Sequence, residues 1–322
     1  MHLVTLNQTA PYTEGFFFST LTAPSVRDAI VIRNPSNALC VSPVLLFSEK
    51  SLSEHIEHIR KNNIKKAIVI AENIEFLSQC PSLEFLRVIP SIYANEFDFS
   101  PLYSMPNLKW LNCETAYGEN EEKFSCIDYS KINELKYLSA SGKKGHLNTN
   151  CLSFLKTLHL YEMCCKSLKG IFNGSNLEHL RLCKTSINSL DGISCATQLK
   201  TLSLEYNKNL EDISEISSLH RSLIYLHIEG CGKIKDFSSL ENMENIECLE
   251  LMGSNTLPNL DFLNRMPNLK VLKLTMTVAN GKIGICKKIP WVLIKNKNHY
   301  DYKDKDLSKL NVMCDYENLT EY

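Results

Sequence analysis

Three histidines and one cysteine in the middle of the chain have side chains that could carry out chemistry. They are His159, His179, His227 and Cys183, and the cysteine follows His179 closely. An imidazole beside a thiol can form a nucleophilic pair, and the same side chains are zinc ligands. Residues so far apart in sequence can meet only if the chain returns repeatedly to one surface. The elements that position them therefore have to be identified first.

An internal repeat in the chain would provide such a surface. The stretch LKTLSLEYNKNLEDI at 199–213 has leucines at its first, fourth and sixth places and an asparagine at its ninth, and the pentapeptide MPNLK occurs at both 105 and 266. Successive copies begin 19 to 27 residues apart. The L-x-x-L-x-L spacing recurs at LEFLRV (83), LKWLNC (108), LKYLSA (135), LKTLHL (155), LEHLRL (177), LIYLHI (223), IECLEL (246) and LKVLKL (269), with a degenerate copy, IKKAIV, at 64.

The second half of each copy has apolar residues three places apart. Ile187, Leu190 and Ile193 show this spacing in one copy, and three later copies repeat it. Side chains at i and i+3 lie above one another in a 3₁₀ helix, so a short helical turn is expected after each strand. Strand and turn point their apolar residues to the same side, which a single copy cannot bury. Successive copies must therefore stack around a shared core.

The combined pattern resembles the leucine-rich repeat family, whose consensus is L-x-x-L-x-L-x-x-N/C-x-L. Asn207 and Cys231 supply the ninth-place residue, and Thr185, Ser254 and Thr277 are polar substitutes in other copies. A copy length near 22 residues is similar to the short repeats of internalins. The resemblance implies an α/β solenoid, a curved right-handed coil with a parallel β-sheet on its concave face and short 3₁₀ or helical turns on its convex face.

The segments on either side of the repeats are expected to cap the stack. SLSEHIEHIRKN at 51–62 has the apolar spacing of an amphipathic helix and lies between two β-branched runs. Polar ends prevent the open cores of repeat proteins from stacking on one another. We predict an N-terminal α/β cap at 1–63, about ten leucine-rich repeats at 64–278 that are most regular at 177–268, and a C-terminal cap with a polar tail at 279–322.

Alternate residues of each strand should face away from the core, because a strand has a period of two. Neighbouring strands lie about 4.8 Å apart, so these residues would form one continuous surface on the concave face that the resemblance implies. Tyr, Trp and Arg are enriched at the energetic centres of protein interfaces. The alternative is that the aromatic residues only satisfy strand propensity and cross-strand packing. The predicted protein-binding residues are Arg87, Trp110, Tyr137, His159, Tyr161, His179, Arg181, Glu205, Tyr206, Tyr225, His227 and Glu229.

Catalysis is the weaker interpretation of the histidines and the cysteine. An open sheet face offers little burial to shift a pKa or exclude water, and no third residue is placed to orient a Cys/His pair. The chain also lacks the glycine-rich phosphate-binding motifs and the G-x-S-x-G motif. We therefore predict a protein that is not an enzyme, with no catalytic residue, no metal and no cofactor.

Composition bears on the partner and the compartment. The net charge is -1, which gives no overall field that would attract nucleic acid or an anionic membrane. Thirteen cysteines without a C-x-x-C pair fit a reducing compartment, and neither a signal peptide nor a membrane span is recognisable. We predict a cytoplasmic module that binds a protein partner, and the ribonuclease-inhibitor branch of the family implies an inhibitor or immunity-type role. The alternative is a secreted or surface-exposed, internalin-like adhesin that contacts a host protein.

Overall fold

Two compact units make up the described part of the chain, the first ending at residue 141 and the second beginning at residue 154. The remainder of the predicted N-terminal cap, residues 1–29 and 34–51, and residues 313–322 of the predicted C-terminal tail lie outside the described residues. The computed structural model describes residues 30–33, 52–90, 94, 96–113, 124–125, 127–132, 134–141, 154–164, 166–172 and 176–312, with 30–33, 130 and 141 as backbone.

Among its described residues, the first unit forms a parallel sheet of five strands with one α-helix. Helix α1 buries Ile56 and Ile59, whose spacing of three places both on one side of a helix. Each strand pairs with the next one in sequence. The elements are β1 Ile30–Arg33, α1 Leu52–Lys61, β2 Lys66–Ala71, β3 Phe85–Pro90, β4 Trp110–Cys113 and β5 Tyr137–Ser141, with 3₁₀ turns at Glu75–Gln79, Ser100–Ser104 and Tyr129–Lys131.

The second unit is built in the same way, from seven parallel strands that pair in sequence order and a separate pair of two-residue strands. The main strands are β6 Thr157–Tyr161, β7 His179–Cys183, β8 Thr201–Glu205, β9 Tyr225–Glu229, β10 Cys248–Met252, β12 Val271–Leu274 and β14 Trp291–Ile294, and the short pair is β11 Thr256–Leu257 and β13 Thr277–Val278. The 3₁₀ turns are Ile193–Cys195, Ser214–Leu219, Ser238–Asn242, Asp261–Arg265, Gly284–Lys288 and Asp304–Asp306.

The repeated leucines form the core of the second unit. In the copy that begins at 199, Leu199, Leu202 and Leu204 have no exposed surface, and the following turn buries Ile216 and Leu219. Burying a side chain of this size stabilises the fold by about 1.5–3 kcal/mol, but only where a neighbouring copy covers it. The predicted architecture of strand, short turn and shared core is confirmed.

The residue after each of the strands β6 to β10 has a backbone with positive φ. This eighth place of the copy is Glu162, Lys184, Tyr206, Gly230 and Gly253 in turn, with φ of 55°, 53°, 52°, 64° and 135°. The first four donate their backbone N–H to a carbonyl of the next copy, as Tyr206 does to Glu229 over 2.7 Å. The left-handed turn therefore ends each of these strands while continuing the hydrogen bonds between copies.

The ninth place holds a buried polar residue that bonds to the preceding copy. Asn207 has no exposed surface, and its amide donates to the Leu182 carbonyl over 2.8 Å. The Cys231 thiol similarly faces the Leu204 carbonyl at 3.5 Å. In the copy that begins at 246, the predicted Ser254 is exposed, and Asn255, one place later, is the buried residue. That prediction was wrong because this copy has one extra residue between its strand and the buried polar position.

A glutamate just before one strand is flanked by lysines of the two neighbouring copies at one place in each unit. The two carboxylate oxygens of Glu178 accept from Lys156 over 2.5 Å and from Lys200 over 2.6 Å, so one carboxylate serves the copies on both sides. Glu84 of the first unit lies between Lys65 and Lys109 in the same manner, at 3.0 and 2.8 Å. Partly exposed pairs of this kind contribute little individually, but like charges in register would oppose the pairing.

Candidate functional site

The outward-facing side chains of β8 and β9 form a packed layer and not an open surface. Thr201 and Ser203 have no exposed surface, and Tyr225 and His227 are only 2% and 4% exposed. The register places Thr201 beside Tyr225 and Ser203 beside His227 on the next strand. Large side chains thus flank small ones on the neighbouring strand. The outward side chains are therefore less accessible to solvent than the alternation of inward and outward residues along a strand implies.

An ion pair between the partly buried Arg181 and the buried Glu205 joins β7 to β8 within this layer. Arg181 Nε and Nη2 donate to Glu205 Oε1 and Oε2 over 2.8 and 2.6 Å, and the Ser203 hydroxyl donates to Glu205 Oε1 over 2.6 Å. Glu205 is 5% exposed. A bidentate pair between charged groups is strong and restricts the orientation of both side chains. The ion pair therefore fixes the positions of two residues that the sequence predicted for binding.

His227 lies among hydroxyl and carboxylate groups. Its Nδ1 is 3.5 Å from Ser203 Oγ and 3.9 Å from Glu250 Oε2, and its Nε2 is 3.4 Å from Glu229 Oε2. A serine, a histidine and a glutamate in this order resemble the residues of a hydrolase triad. Ser203, however, is fully buried and donates its hydroxyl to Glu205. The hydroxyl is thus closed to a substrate, and it donates its proton to a carboxylate that is already paired with Arg181 and not to His227.

Cys183 and His179 do not form an activated pair either. Burial, reinforced by the Glu205 carboxylate, raises the pKa of the Cys183 thiol to about 12, so the nucleophilic thiolate does not form at neutral pH. His179 Nδ1 instead lies 2.9 Å from the Thr201 hydroxyl. Across the described ranges, no group of three or more His, Cys, Asp or Glu side chains is arranged to hold a metal ion.

The burial of His179 makes stability depend on pH. Burial lowers the pKa of this imidazole from 6.5 to about 4, against a smaller opposing effect of Glu178. Between these values the unfolded chain binds a proton that the folded chain does not, so stability falls as the pH decreases through this window. We expect the free energy of unfolding of the wild type to fall by about 1–2 kcal/mol more than that of His179→Gln between about pH 7 and pH 5.

Urea denaturation of both proteins across this pH range measures the difference. Above about pH 7.5 the two curves should run parallel, because His179 is then neutral in both states. Equal slopes for the two proteins below that pH would show that the folded protein accepts the proton on His179 without penalty.

Partly exposed side chains lie where β6 to β9 end. Lys184 Nζ donates to the Tyr161 hydroxyl over 2.6 Å, and the Tyr206 hydroxyl donates to Glu229 Oε1 over 2.6 Å. We refer to Tyr161, Lys184, Tyr206 and Glu229 as the tyrosine edge. The hydrogen bond to Glu229 raises the pKa of Tyr206 to about 12, so this hydroxyl keeps its proton and remains a donor. Tyr206, with 38% of its surface exposed, is the most accessible of the predicted aromatic residues of this unit.

Gly230 makes room for the ring of Tyr206. A Cβ atom at this position would lie 2.6 Å from Tyr206 Cδ1, and the φ of Gly230 is 64°, which other residues rarely adopt. The ring therefore lies against the bare backbone of the next copy while its hydroxyl is held by Glu229. Contacts at both ends of the side chain hold Tyr206 in one position.

The predicted residues of the first unit form a separate cluster. Trp110 and Tyr137 stack with their ring centroids 4.5 Å apart and their planes 12° apart. Trp110 is 8% exposed, whereas Tyr137 and Arg87 are half-buried. The stacked rings on adjacent strands fit the alternative of cross-strand packing as well as a role in binding, and their role in binding stays a prediction.

The other nine predicted residues lie in the second unit. The structure joins Arg181, Glu205, His227, Glu229 and Tyr206 through a continuous series of contacts that passes through Ser203. The remaining four of the second unit are His159, half-buried on β6, Tyr161 of the tyrosine edge, and the buried His179 and Tyr225.

Lys184 was not predicted, although it belongs to the tyrosine edge. Selection of alternate strand residues omits the eighth place of the copy, where only Tyr206 was predicted, but the left-handed backbone there returns the side chain to the end of the strand. The available signal was the alignment of Lys184 with Tyr206 at the same place of successive copies.

Comparison with solved structures gives similar folds at low sequence identity. An internalin, InlF from Listeria monocytogenes, is 14% identical, with 74% of this chain and 73% of that chain covered and a TM-score of 0.48. Internalin C2 of the same organism is 21% identical, with 56% and 76% covered and a TM-score of 0.42. The ectodomain of the Arabidopsis thaliana receptor kinase GASSHO1/SCHENGEN3 is 12% identical, with 74% and 32% covered and a TM-score of 0.41.

No protein-family model and no curated protein matches the chain. The buried leucines, the left-handed eighth place and the in-register parallel strands of the chain itself define the fold, which is that of a leucine-rich repeat solenoid. Its regular copies, 22 to 24 residues long, are of the short, internalin-like type. No helix in the part of the chain that the structure describes is long and apolar enough to cross a bilayer.

Proposed function

We propose that this protein is a non-enzymatic interaction module that binds a protein partner at the tyrosine edge. The observation that carries the proposal is the position of Tyr206, which is exposed yet held by Gly230 beneath its ring and by Glu229 at its hydroxyl. A large side chain that is already ordered loses little conformational entropy when a partner covers it. Tyrosine is also among the residues that dominate binding energy at interfaces.

The charged members of the tyrosine edge support a polar, oriented interface. Lys184 lies at the end of β7 and Glu229 at the end of β9, so the edge has a cation on one side of Tyr206 and an anion on the other. Complementary charges on a partner would set its direction along the strands. More specifically, we propose that the protein acts in the cytoplasm as an inhibitor or immunity-type protein.

Site-specific crosslinking tests the position of the interface. With the photoreactive residue benzoylphenylalanine in place of Tyr206, irradiation of source cells should yield one crosslinked protein. The same residue in place of Glu241, exposed in the turn Ser238–Asn242 on the other side of the copy, should not yield it. Fractionation of the source cells then shows whether the complex is cytoplasmic or exposed at the surface, and the latter would favour the adhesin alternative.

The purified partner allows a quantitative prediction. Tyr206→Ala and Tyr161→Ala should each weaken binding by about tenfold or more, whereas Tyr206→Phe, which keeps the ring, should retain most of the affinity. Tyr302→Ala is the matched control, because Tyr302, like Tyr161, is a half-buried tyrosine beside a lysine, Lys287, but lies at the turn Gly284–Lys288. Titration calorimetry measures all four. Equal affinity of Tyr206→Ala and the wild type would exclude the tyrosine edge as the interface.

A further inference from the structure

The outward face changes character at its last two strands. On β14, Trp291 and Leu293 point away from the core, since Val292 and Ile294, with which they alternate, are buried. Leu293 is 41% exposed, and the register places Val271 of β12 beside Trp291 and Lys273 beside Leu293. Large apolar side chains are thus accessible here, whereas those of β8 and β9 are packed within their layer.

Lysines surround these apolar side chains. Lys295 follows β14 on the same face and is exposed, Lys273 flanks Leu293, and Lys309 lies over the Trp291 ring at 5.6 Å. We refer to Val271, Trp291, Leu293, Lys273, Lys295 and Lys309 as the terminal patch. Glu250 and Asp304 accept from Lys273 and Lys309, while Lys295 has no carboxylate within ion-pair distance among the described residues.

The terminal patch lies in a strongly basic part of the chain. Residues 270–309 contain ten lysines and three aspartates, which leaves seven net positive charges, although the whole chain carries a net charge of -1. A field of one sign around an apolar centre attracts and orients a ligand of the opposite sign. A partner for this face must therefore combine negative charge with side chains that can cover Trp291 and Leu293.

We propose that the terminal patch is a second docking surface, which binds an acidic polypeptide segment carrying large apolar or aromatic side chains. Carboxylates of the segment would pair with Lys295 and Lys273, and an aromatic or aliphatic side chain would cover Leu293 and the edge of Trp291. A polypeptide fits better than a nucleic acid, because the exposed Leu293 and the half-buried Val271 offer nothing to phosphates or base edges. A polypeptide also fits better than a membrane. A flat anionic surface would be met best by lysines on a single face, whereas Lys287 and Lys288 belong to a turn and not to the strand face.

Synthetic polymers provide a direct test on the full chain. In a Trp110→Phe background Trp291 is the remaining tryptophan, so its fluorescence reports occupancy of the patch. A random copolymer of glutamate and tyrosine should shift this emission and bind about tenfold more tightly than polyglutamate. Leu293→Ser should abolish that preference, and Lys295→Glu should weaken copolymer binding by about tenfold.

Lys288→Glu is the matched control, because it changes the net charge equally but lies on the turn side. Lys288→Glu should alter copolymer affinity by less than about twofold. Tyr206→Ala should leave copolymer affinity unchanged, so the result does not depend on the tyrosine edge. Equal weakening by Lys288→Glu and Lys295→Glu would overturn the proposal in favour of diffuse attraction. Tighter binding of oligothymidylate, or of phosphatidylglycerol vesicles, than of the copolymer would also overturn it.

Discussion

Replacement of Arg181 by methionine is expected to lower the free energy of unfolding by about 3–5 kcal/mol. The reason lies with Glu205, which is 5% exposed and accepts two hydrogen bonds from the guanidinium and one from Ser203. Methionine fills much of the volume but provides no donor, so a buried carboxylate would keep only the serine hydroxyl of these partners. Urea denaturation followed by circular dichroism measures the loss.

Two further variants separate the removal of one charge from the removal of the pair. Arg181→Met with Glu205→Leu should recover most of the lost stability, because a packed apolar pair can replace a buried ion pair at little net cost. Lys169→Met breaks an exposed ion pair, in which the side chain of Lys169 is 71% exposed and that of Asp191 is 37% exposed. This variant should change stability by less than about 0.5 kcal/mol. If Arg181→Met were no more damaging than Lys169→Met, the buried pair would have no special role in folding.

Replacement of Asn207 by alanine is expected to lower the free energy of unfolding by about 2–4 kcal/mol. The Asn207 side chain accepts from the Thr185 backbone N–H over 2.8 Å and from the Thr185 hydroxyl over 2.7 Å, and it donates to the Leu182 carbonyl. All three groups belong to the preceding copy, and both Thr185 and Leu182 are buried. Alanine would leave them without these partners in a place that water does not reach.

Substitution by cysteine tests this account, because Cys231 occupies the same place in the next copy. Asn207→Cys can donate weakly to the Leu182 carbonyl but is a poor acceptor, so it should lose less stability than the alanine variant. Amide exchange of Thr185 should become faster in both variants. Asn209→Ala, at an exposed position of the same copy, should behave as the wild type in both measurements. Unchanged protection of Thr185 in Asn207→Ala would refute the role of the side chain.

The repeat architecture was predictable from the sequence because each copy must meet the same two structural requirements. Leu199, Leu202 and Leu204 must be buried against neighbouring copies, and a polar residue must bond to the backbone between them, as Asn207 does. These requirements leave the same spacing in the sequence each time. The extra residue before Asn255 escaped prediction because the spacing between strands changes little while the buried position moves by one.

The candidate site was less predictable, because exposure depends on neighbours and not on strand alternation. Thr201 and Tyr225 both face away from the core, yet neither is accessible, since they lie side by side on adjacent strands. Tyr206 lies beyond the strand and is the more exposed residue. Its position depends on Gly230 of the next copy, a relation that the periodicity of a single strand does not reveal.

The left-handed residues that end strands β6 to β8 also mark positions at which folding alone would favour glycine. A residue with a side chain costs about 1–2 kcal/mol in this conformation, which glycine avoids. The chain has glycine there at 230 and 253 but retains Glu162, Lys184 and Tyr206 in the three preceding copies. Unfavourable backbone geometry of this kind tends to persist where a side chain serves a purpose other than stability. Backbone strain, which requires no knowledge of a partner, thus points to the same place as the two tyrosines.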